Sequence, residues 1–208
     1  MNIALLIIAV LTAYLLGSIP TSVWAGKIIH GIDVREHGSG NAGATNVIRV
    51  LGWKTGVPVL LTDIAKGSVA ALLPLFFNLA PSESPALTNL QLVTGVVAIT
   101  GHMFPVFAGF RGGKGVATAA GVVVALHPAV SLICLGIFAL VFVITGIVSV
   151  SSMTAGIAFP VVLLVFFDTP SLIFKIFSVI IAISLLIAHR KNINRVIKGE
   201  EQRLFRKK

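Results

Sequence analysis

The sequence predicts an all-α, polytopic membrane protein. The expected architecture is a helical bundle of seven transmembrane helices, two of them short, with the N-terminus outside and the C-terminus cytoplasmic. Residues 1–208 are expected to form one integral membrane domain. Three observations carry this prediction. Hydrophobic residues make up 56% of the chain and charged residues 11%, with a mean hydropathy of +1.01, whereas a soluble domain carries about 25% charged residues. Apolar runs of about 20 residues, the length that crosses ~30 Å of hydrocarbon as a helix, recur along the chain. The cations are distributed one-sidedly between the loops.

The first run, residues 3–24, starts from MNIALLIIAVLTAYLL. It lacks the cationic n-region and the small-residue cleavage site of a signal peptide, which predicts a permanent span. Residues 56–77, 90–110 and 171–189 form three further apolar runs. Between 116 and 167 the apolar stretch is punctuated by His127-Pro128, by Ser149-Val150-Ser151-Ser152 and by Pro160. Cutting at the first two predicts helices over 116–126, 129–148 and 154–167, of which the first and last are short. A five-span arrangement, with one pair fewer in 116–167, keeps the same ends. Cys134 stands alone in an apolar run and reads as packing, with neither a disulfide framework nor a metal cluster in view.

Charge sets the orientation. With the N-terminus outside, segments 27–55, 111–115, 149–153 and the tail from His189 fall on the cytoplasmic side. Every Lys and Arg except Lys66 and Lys175 lies in them, including Arg206, Lys207 and Lys208. The outer loops hold Glu83 and Asp168. This is the positive-inside distribution. The net charge of +9 is thereby accounted for by orientation and by attraction to anionic headgroups or substrates, so no nucleic-acid partner is expected.

Two glycine-rich, cation-bearing stretches interrupt the apolar pattern: HGSGNAGATNVIRVLG from His37 and GHMFPVFAGFRGGKGVAT from Gly101. Irregular backbone has no hydrogen-bond partners in hydrocarbon, so it belongs at an interface or around a polar cavity. Each stretch runs into a helix-like segment, which is the composition of an anion-binding loop feeding a helix N-terminus. Backbone N–H groups at Gly40, Gly112 and Gly113, the Ser39 and Thr45 hydroxyls, the Asn41 and Asn46 amides, Arg49 and Lys114 are the candidate phosphate donors. Arg suits bidentate contact and Lys acts as a mobile point charge. GSGNAG fits G-x-G-x-x-G by spacing, but it follows an apolar span where the dinucleotide motif needs a βαβ unit. FRGGKG departs from a phosphate loop at Ala108 and Gly115. No cofactor or metal is expected.

The serines at 149–152 read either as caps of a helix starting near Thr154 or as a third set of donors. His189 closes the last run and is followed by Arg190, Lys191, Asn192 and Arg195. Cations there suit the helix dipole, and the imidazole is a candidate acid, base or phosphate ligand. His102 sits in the second glycine-rich stretch, while His127 falls in a loop on the opposite face. Asp63 and Lys66, three apart on one helix face, read as a structural pair or as part of a substrate cavity. The chain contains no G-x-S-x-G elbow, no H-x-x-x-x-D pair and no H-E-x-x-H. Catalysis without these rests on positioning, electrostatics or an activated substrate.

GSGNAGATNVIRVLGWKTG, DIAKG from Asp63 to Gly67, GHMFPVFAGFRGGKGVAT and HRKNINRVIKGEE from His189 together resemble the bacterial acyl-phosphate:glycerol-3-phosphate acyltransferases, integral membrane enzymes. The resemblance covers nearly the whole chain. It implies a seven-helix fold with a cytoplasmic-side active site in the bacterial inner membrane. The implied reaction moves an acyl group from acyl phosphate to the 1-hydroxyl of glycerol 3-phosphate, giving lysophosphatidic acid and inorganic phosphate, the first step of phospholipid synthesis. It places phosphate-binding roles on Ser39, Arg49 and Lys114, and substrate contacts on Ser152, His189 and Asn192. Ser151 and Ser152 are adjacent alternatives, and either His189 or a substrate phosphate oxygen is the general base. Expected partners are the two substrates and membrane lipids; the oligomeric state is open, a monomer being one option. The alternative function is a small transporter of a phosphorylated metabolite or lipid, against which stand the lack of an internal repeat and the gathering of polar loops on one face.

Overall fold

Helical segments dominate the chain because its apolar runs can satisfy backbone hydrogen bonds internally only as helices. The computed structural model describes residues 2–167 and 171–204. Asp168, Arg206, Lys207 and Lys208, used in the charge argument above, lie outside the described residues. Among the described residues there are ten α-helices, two 3₁₀ turns and no strand. The chain divides into two compact units, Met1–Leu126 and His127–Lys208.

The first unit contains α1 (Ile3–Ser18), α2 (Thr21–His30), α3 (Ala44–Leu51), α4 (Trp53–Phe76), α5 (Pro85–Met103) and α6 (Val116–Leu126). The expected single span over 3–24 is instead a pair, α1 and α2, bent by 43°. Pro20 is the reason: it supplies no N–H and its ring clashes with a continuous helix. Asn2 caps α1 by accepting from the Ala4 and Leu5 N–H groups. Helix α4 packs against α6, α5, α3 and α1, and small residues set the closeness. A Cβ on Gly67 would collide with the Thr118 carbonyl, and one on Gly121 with the Ile64 carbonyl, so α4 and α6 meet backbone to backbone. Ala9, Ala13, Ala70 and Ala98, with Leu73 and Leu79, fill the core where α1, α4 and α5 meet.

The second unit contains α7 (Pro128–Thr145), α8 (Val148–Phe166), α9 (Leu172–Ala188) and α10 (Arg190–Ile197). His127 caps α7, its Nδ1 accepting from Val130 N at 3.4 Å. Gly146, in the left-handed region at φ +68°, ends the helix. Helix α8 starts two residues later, which corrects the reading of Ser149–Ser152 as a break before a short helix. These serines lie inside a 19-residue helix. Their polarity is absorbed locally, since Ser151 Oγ donates to Ile147 O at 2.9 Å, the usual back-bond of a helical serine. Phe159, Phe174 and Phe177 form the aromatic core, with ring centroids 6.2–6.4 Å apart. Ser171 caps α9, and at His189 the chain bends by 60° into α10. Cys134 is half-buried on α7.

By length and composition, four helices among the described residues can cross a bilayer, or six when each bent pair counts as one span. Of the two helices expected to be short, only α6, with 11 residues, is so. The outward faces are apolar, as at Val143 (83% exposed) on α7.

Candidate functional site

The first glycine-rich loop is built around one buried amide. Asn46, 1% exposed, sits in the first turn of α3. Its Oδ1 accepts from Ser39 N at 2.8 Å, and its Nδ2 donates to Val34 O at 2.8 Å and His37 O at 3.1 Å. The loop can close this tightly because Gly38 adopts φ +60° and leaves no room for a side chain: a Cβ there would strike Asn46 Oδ1. Asn46 is therefore committed to the loop's own backbone, and its place is beneath the candidate donors. Gly40 N is likewise committed, to His37 O at 3.0 Å. Ser39 is exposed at the tip; Asn41, Thr45 and Arg49 are half-buried on the loop and on α3. At the start of α3, Asn46 N donates to Gly43 O at 3.0 Å, so among the N–H groups that a helix start leaves without intrahelical partners the first turn presents those of Ala44 and Thr45.

The second loop runs from the end of α5 to α6. Gly112 N donates to Met103 O and Gly113 N to His102 O, each at 3.2 Å, so these amides fold the loop back on α5 and are not its outward donors. Gly113 is where the two loops meet. A Cβ there would collide with the His102 ring and stand 2.7 Å from the Ala42 carbonyl oxygen. Lys114 follows, half-buried, one residue before Gly115 and the start of α6. The site therefore has two glycine-rich loops in contact, each feeding a helix N-terminus and each carrying a cation.

An ion pair that sequence alone did not single out ties the loops together. Arg35 makes a forked contact with Asp33, Nε to Oδ1 at 2.9 Å and Nη2 to Oδ2 at 2.7 Å. Its Nη1 reaches across to Ala108 O at 2.8 Å and Arg111 O at 3.2 Å in the second loop. The hydrogen bonds and charge of Arg35 hold the Asp33 carboxyl well below the usual carboxylate range, and the carboxylate raises Arg35 in return. A small open cleft lies between these loops and the α1–α2 bend, bordered by Thr21, Ala42, Lys66, His102, Gly112 and Gly113. The Asp63–Lys66 pair is buried and bonded, Nζ to Oδ1 at 2.8 Å, and Lys66 also borders the cleft.

In the second unit the polar residues gather on Glu201. Its Oε1 accepts from Ser149 Oγ at 2.7 Å and from Asn192 Nδ2 at 2.6 Å, joining the start of α8 to α10 and the segment after it. Glu201 lies in the motif that ends HRKNINRVIKGEE; a lone pair of acids in a basic tail is the signal that marks it. His189 is buried, and its Nδ1 lies 2.8 Å from Leu185 O. A carbonyl only accepts, so Nδ1 carries a proton in this contact, and Nε2 is the acceptor when the ring is neutral. Ser151 is bound to its own helix, whereas Ser152 is buried beside it. Among the described residues, no group of three or more His, Cys, Asp or Glu side chains is placed to hold a metal ion.

The comparisons with known proteins agree with one another. A family model described as glycerol-3-phosphate acyltransferase matches residues 7–199. The chain is 46% identical to the glycerol-3-phosphate acyltransferase of Chlorobaculum tepidum, covering 94% of each sequence. It is similar to the crystal structure of PlsY (YgiH), an integral membrane glycerol 3-phosphate acyltransferase, in its glycerol 3-phosphate form. That match has a TM-score of 0.83 and 39% identity, and covers 95% of this chain and 94% of the other. The lysophosphatidic acid form gives a TM-score of 0.81 at the same identity and coverage. With a match over most of its length and helices of the required apolar character, the chain belongs to the glycerol-3-phosphate acyltransferase family, as an integral membrane protein.

Proposed function

We propose that this enzyme moves an acyl group from acyl phosphate to the 1-hydroxyl of glycerol 3-phosphate. The products are lysophosphatidic acid and inorganic phosphate, and the reaction is the first step of bacterial phospholipid synthesis. The observation that carries the reading is the contact of the two glycine-rich loops at Gly113 and Ala42; one loop leads into Lys114 and the other into α3 with Arg49. Both substrates are phosphorylated and repel each other, so a site that unites them needs cations and hydrogen-bond donors in an otherwise apolar chain. In this reading Lys114, Arg49 and the Ser39 hydroxyl hold phosphate, with Thr45, Asn41 and the start of α3 beside them. Asn46, Gly40, Gly112 and Gly113 shape the loops that present those groups.

An acyl phosphate is a mixed anhydride, so the leaving group is already good and no covalent enzyme intermediate is required. The 1-hydroxyl oxygen attacks the acyl carbon, the ester C–O bond forms, and the bond from carbon to the phosphate oxygen breaks to release phosphate. The hydroxyl proton passes either to His189, through the Nε2 that the Leu185 hydrogen bond leaves as acceptor, or to a phosphate oxygen of the substrate. Ser152 and Asn192 contact substrate, with Glu201 fixing the asparagine amide. No metal or cofactor takes part.

The same reading gives topology. Counting α1–α2 as one span, with α4, α5, α6, α7, α8 and α9, makes seven, and the cation distribution places the N-terminus outside. The chain is then one multi-pass domain of the bacterial inner membrane, with its active site on the cytoplasmic face. The test is direct: purified protein in detergent, given acyl phosphate and glycerol 3-phosphate, forms lysophosphatidic acid and phosphate in equal amounts. Uptake of a phosphorylated solute into vesicles without chemical change would instead identify a carrier.

A further inference from the structure

Four polar side chains meet beside the second glycine-rich loop and take no part in the chemistry above. Asp63 and Lys66 lie one turn apart on α4, inside a segment read as a membrane span, and are 1% and 5% exposed. Asp63 Oδ1 accepts from Lys66 Nζ at 2.8 Å and from Thr21 Oγ1 at 2.7 Å, and lies 3.6 Å from His102 Nδ1. Lys66 Nζ also donates, at 2.9 Å, to Ile19 O, next to the Pro20 break. One carboxylate thereby connects the bend between α1 and α2 to the end of α5.

Charge at this depth is expensive, and a well-packed apolar pair is commonly as stable as a buried ion pair or more so. Stability alone is a weak account of the cluster. Its reach is a stronger one. His102 is the residue on which the second loop rests: Gly113 N donates to its carbonyl, and the Gly113 Cα lies so close to its ring that a Cβ would collide with Nε2. The next residue is Lys114.

We propose that Asp63 is a positioning residue for Lys114: by holding Thr21, Lys66 and His102 together, it sets the height and angle at which the second loop presents its lysine to phosphate. The inference rests on the phosphate-binding role of Lys114 in the proposed function. Thr21 and Asp63 are its working pair, Lys66 neutralises the carboxylate and ties off the bend, and His102 transmits the placement to Gly113.

The test is a double-mutant cycle on the full-length protein in detergent. Asp63→Asn alone leaves Lys66 a buried charge without its counter-ion, so the informative background is Asp63→Asn with Lys66→Met, in which the pair is neutral. This variant should melt at or above the wild-type temperature yet lose about ten-fold or more in kcat/KM, since small misplacements at a site are costly. In a Lys114→Ala background the same two substitutions should add less than about two-fold, because their effect runs through the lysine. Thr21→Val checks the coupling with all charges kept, and its loss should also vanish when Lys114 is absent. Wild-type kinetics in the pair-neutral or Thr21→Val enzyme, or losses that multiply with that of Lys114→Ala, would overturn the proposal. A Lys114→Ala enzyme with wild-type kinetics is a different outcome, which removes the phosphate-binding role itself and the positioning claim with it.

Discussion

Asn46 and Ser39 are joined by a single bond, Ser39 N to Asn46 Oδ1 at 2.8 Å, and it fixes the tip of the first glycine-rich loop. With Nδ2 donating to Val34 O and His37 O, the amide works as a template on which the segment 34–39 is wound. Asn46→Asp is the sharp probe, because it keeps the shape and the acceptor while replacing the donor with an oxygen facing two carbonyls. A loss of about 1–3 kcal/mol in stability is expected, together with reduced activity. Thermal unfolding in detergent and kcat/KM on the same sample check both. Wild-type values for each would show that the amide is not what holds the loop.

The Asp33–Arg35 clasp gives a pH signature. The hydrogen bond and charge from Arg35 depress the folded carboxyl, so its contribution is fully present above the unfolded value near 4 and is lost only as pH falls below that toward the folded value. Asp33→Asn should therefore lower stability by a constant amount between about pH 5 and 8, and by a shrinking amount below about pH 4. Unfolding midpoints of both proteins against pH decide it. A difference that grows on acidification would reverse the assigned sign.

Glu201 is expected to matter through acceptance more than through charge. Glu201→Ala removes the oxygen shared by Ser149 and Asn192 and should cost about 1–3 kcal/mol along with most of the activity. Glu201→Gln keeps an acceptor at that position and should retain more of both. Equal damage from the two substitutions would show that the negative charge itself is needed.

These cases show what is legible in such a sequence. Helix α6 begins and ends where hydropathy and the flanking glycine and histidine place it, at Val116 and Leu126. The break at Ile19–Pro20 escaped because hydropathy averages over a proline, while Lys66, the residue that ties off the freed carbonyl, is 47 positions away. The serines of α8 looked like a break because polarity is visible in sequence and a back-bond to Ile147 is not. At the site, Arg49 and Lys114 stood out as cations among glycines. The duties of Asn46, Arg35 and Glu201 did not, because they depend on backbone carbonyls and distant side chains, such as the 52-residue separation of Ser149 and Glu201.

The proposed topology rests on the cation distribution. Reporters within residues 33–36 and after Lys208 should read cytoplasmic, and one within 82–84 external. An external C-terminus would place the basic tail and the glycine-rich loops on different sides and remove the cytoplasmic-face site.

The donor is expected to be acyl phosphate alone. Without a visible H-x-x-x-x-D pair to activate the hydroxyl against a thioester, acyl-CoA and acyl carrier protein should not be turned over. Turnover of acyl-CoA at a comparable rate would contradict this expectation.

The most direct test is steady-state kinetics of Arg49→Ala and Lys114→Ala, varying glycerol 3-phosphate and acyl phosphate separately on folded, membrane-inserted protein. Each substitution should remove charge-assisted contacts worth about 1.5–3 kcal/mol apiece, a loss of roughly ten- to a hundred-fold or more in kcat/KM. Ser39→Ala should also be damaging. Lys114→Arg should not restore full activity, since a planar fork does not replace a compact ammonium. Arg206→Ala, in the tail, should be nearly silent, as a membrane-surface charge worth about 1 kcal/mol. Wild-type kinetics for both substrates in Arg49→Ala and Lys114→Ala would mean that the glycine-rich loops are turns and that phosphate is held elsewhere.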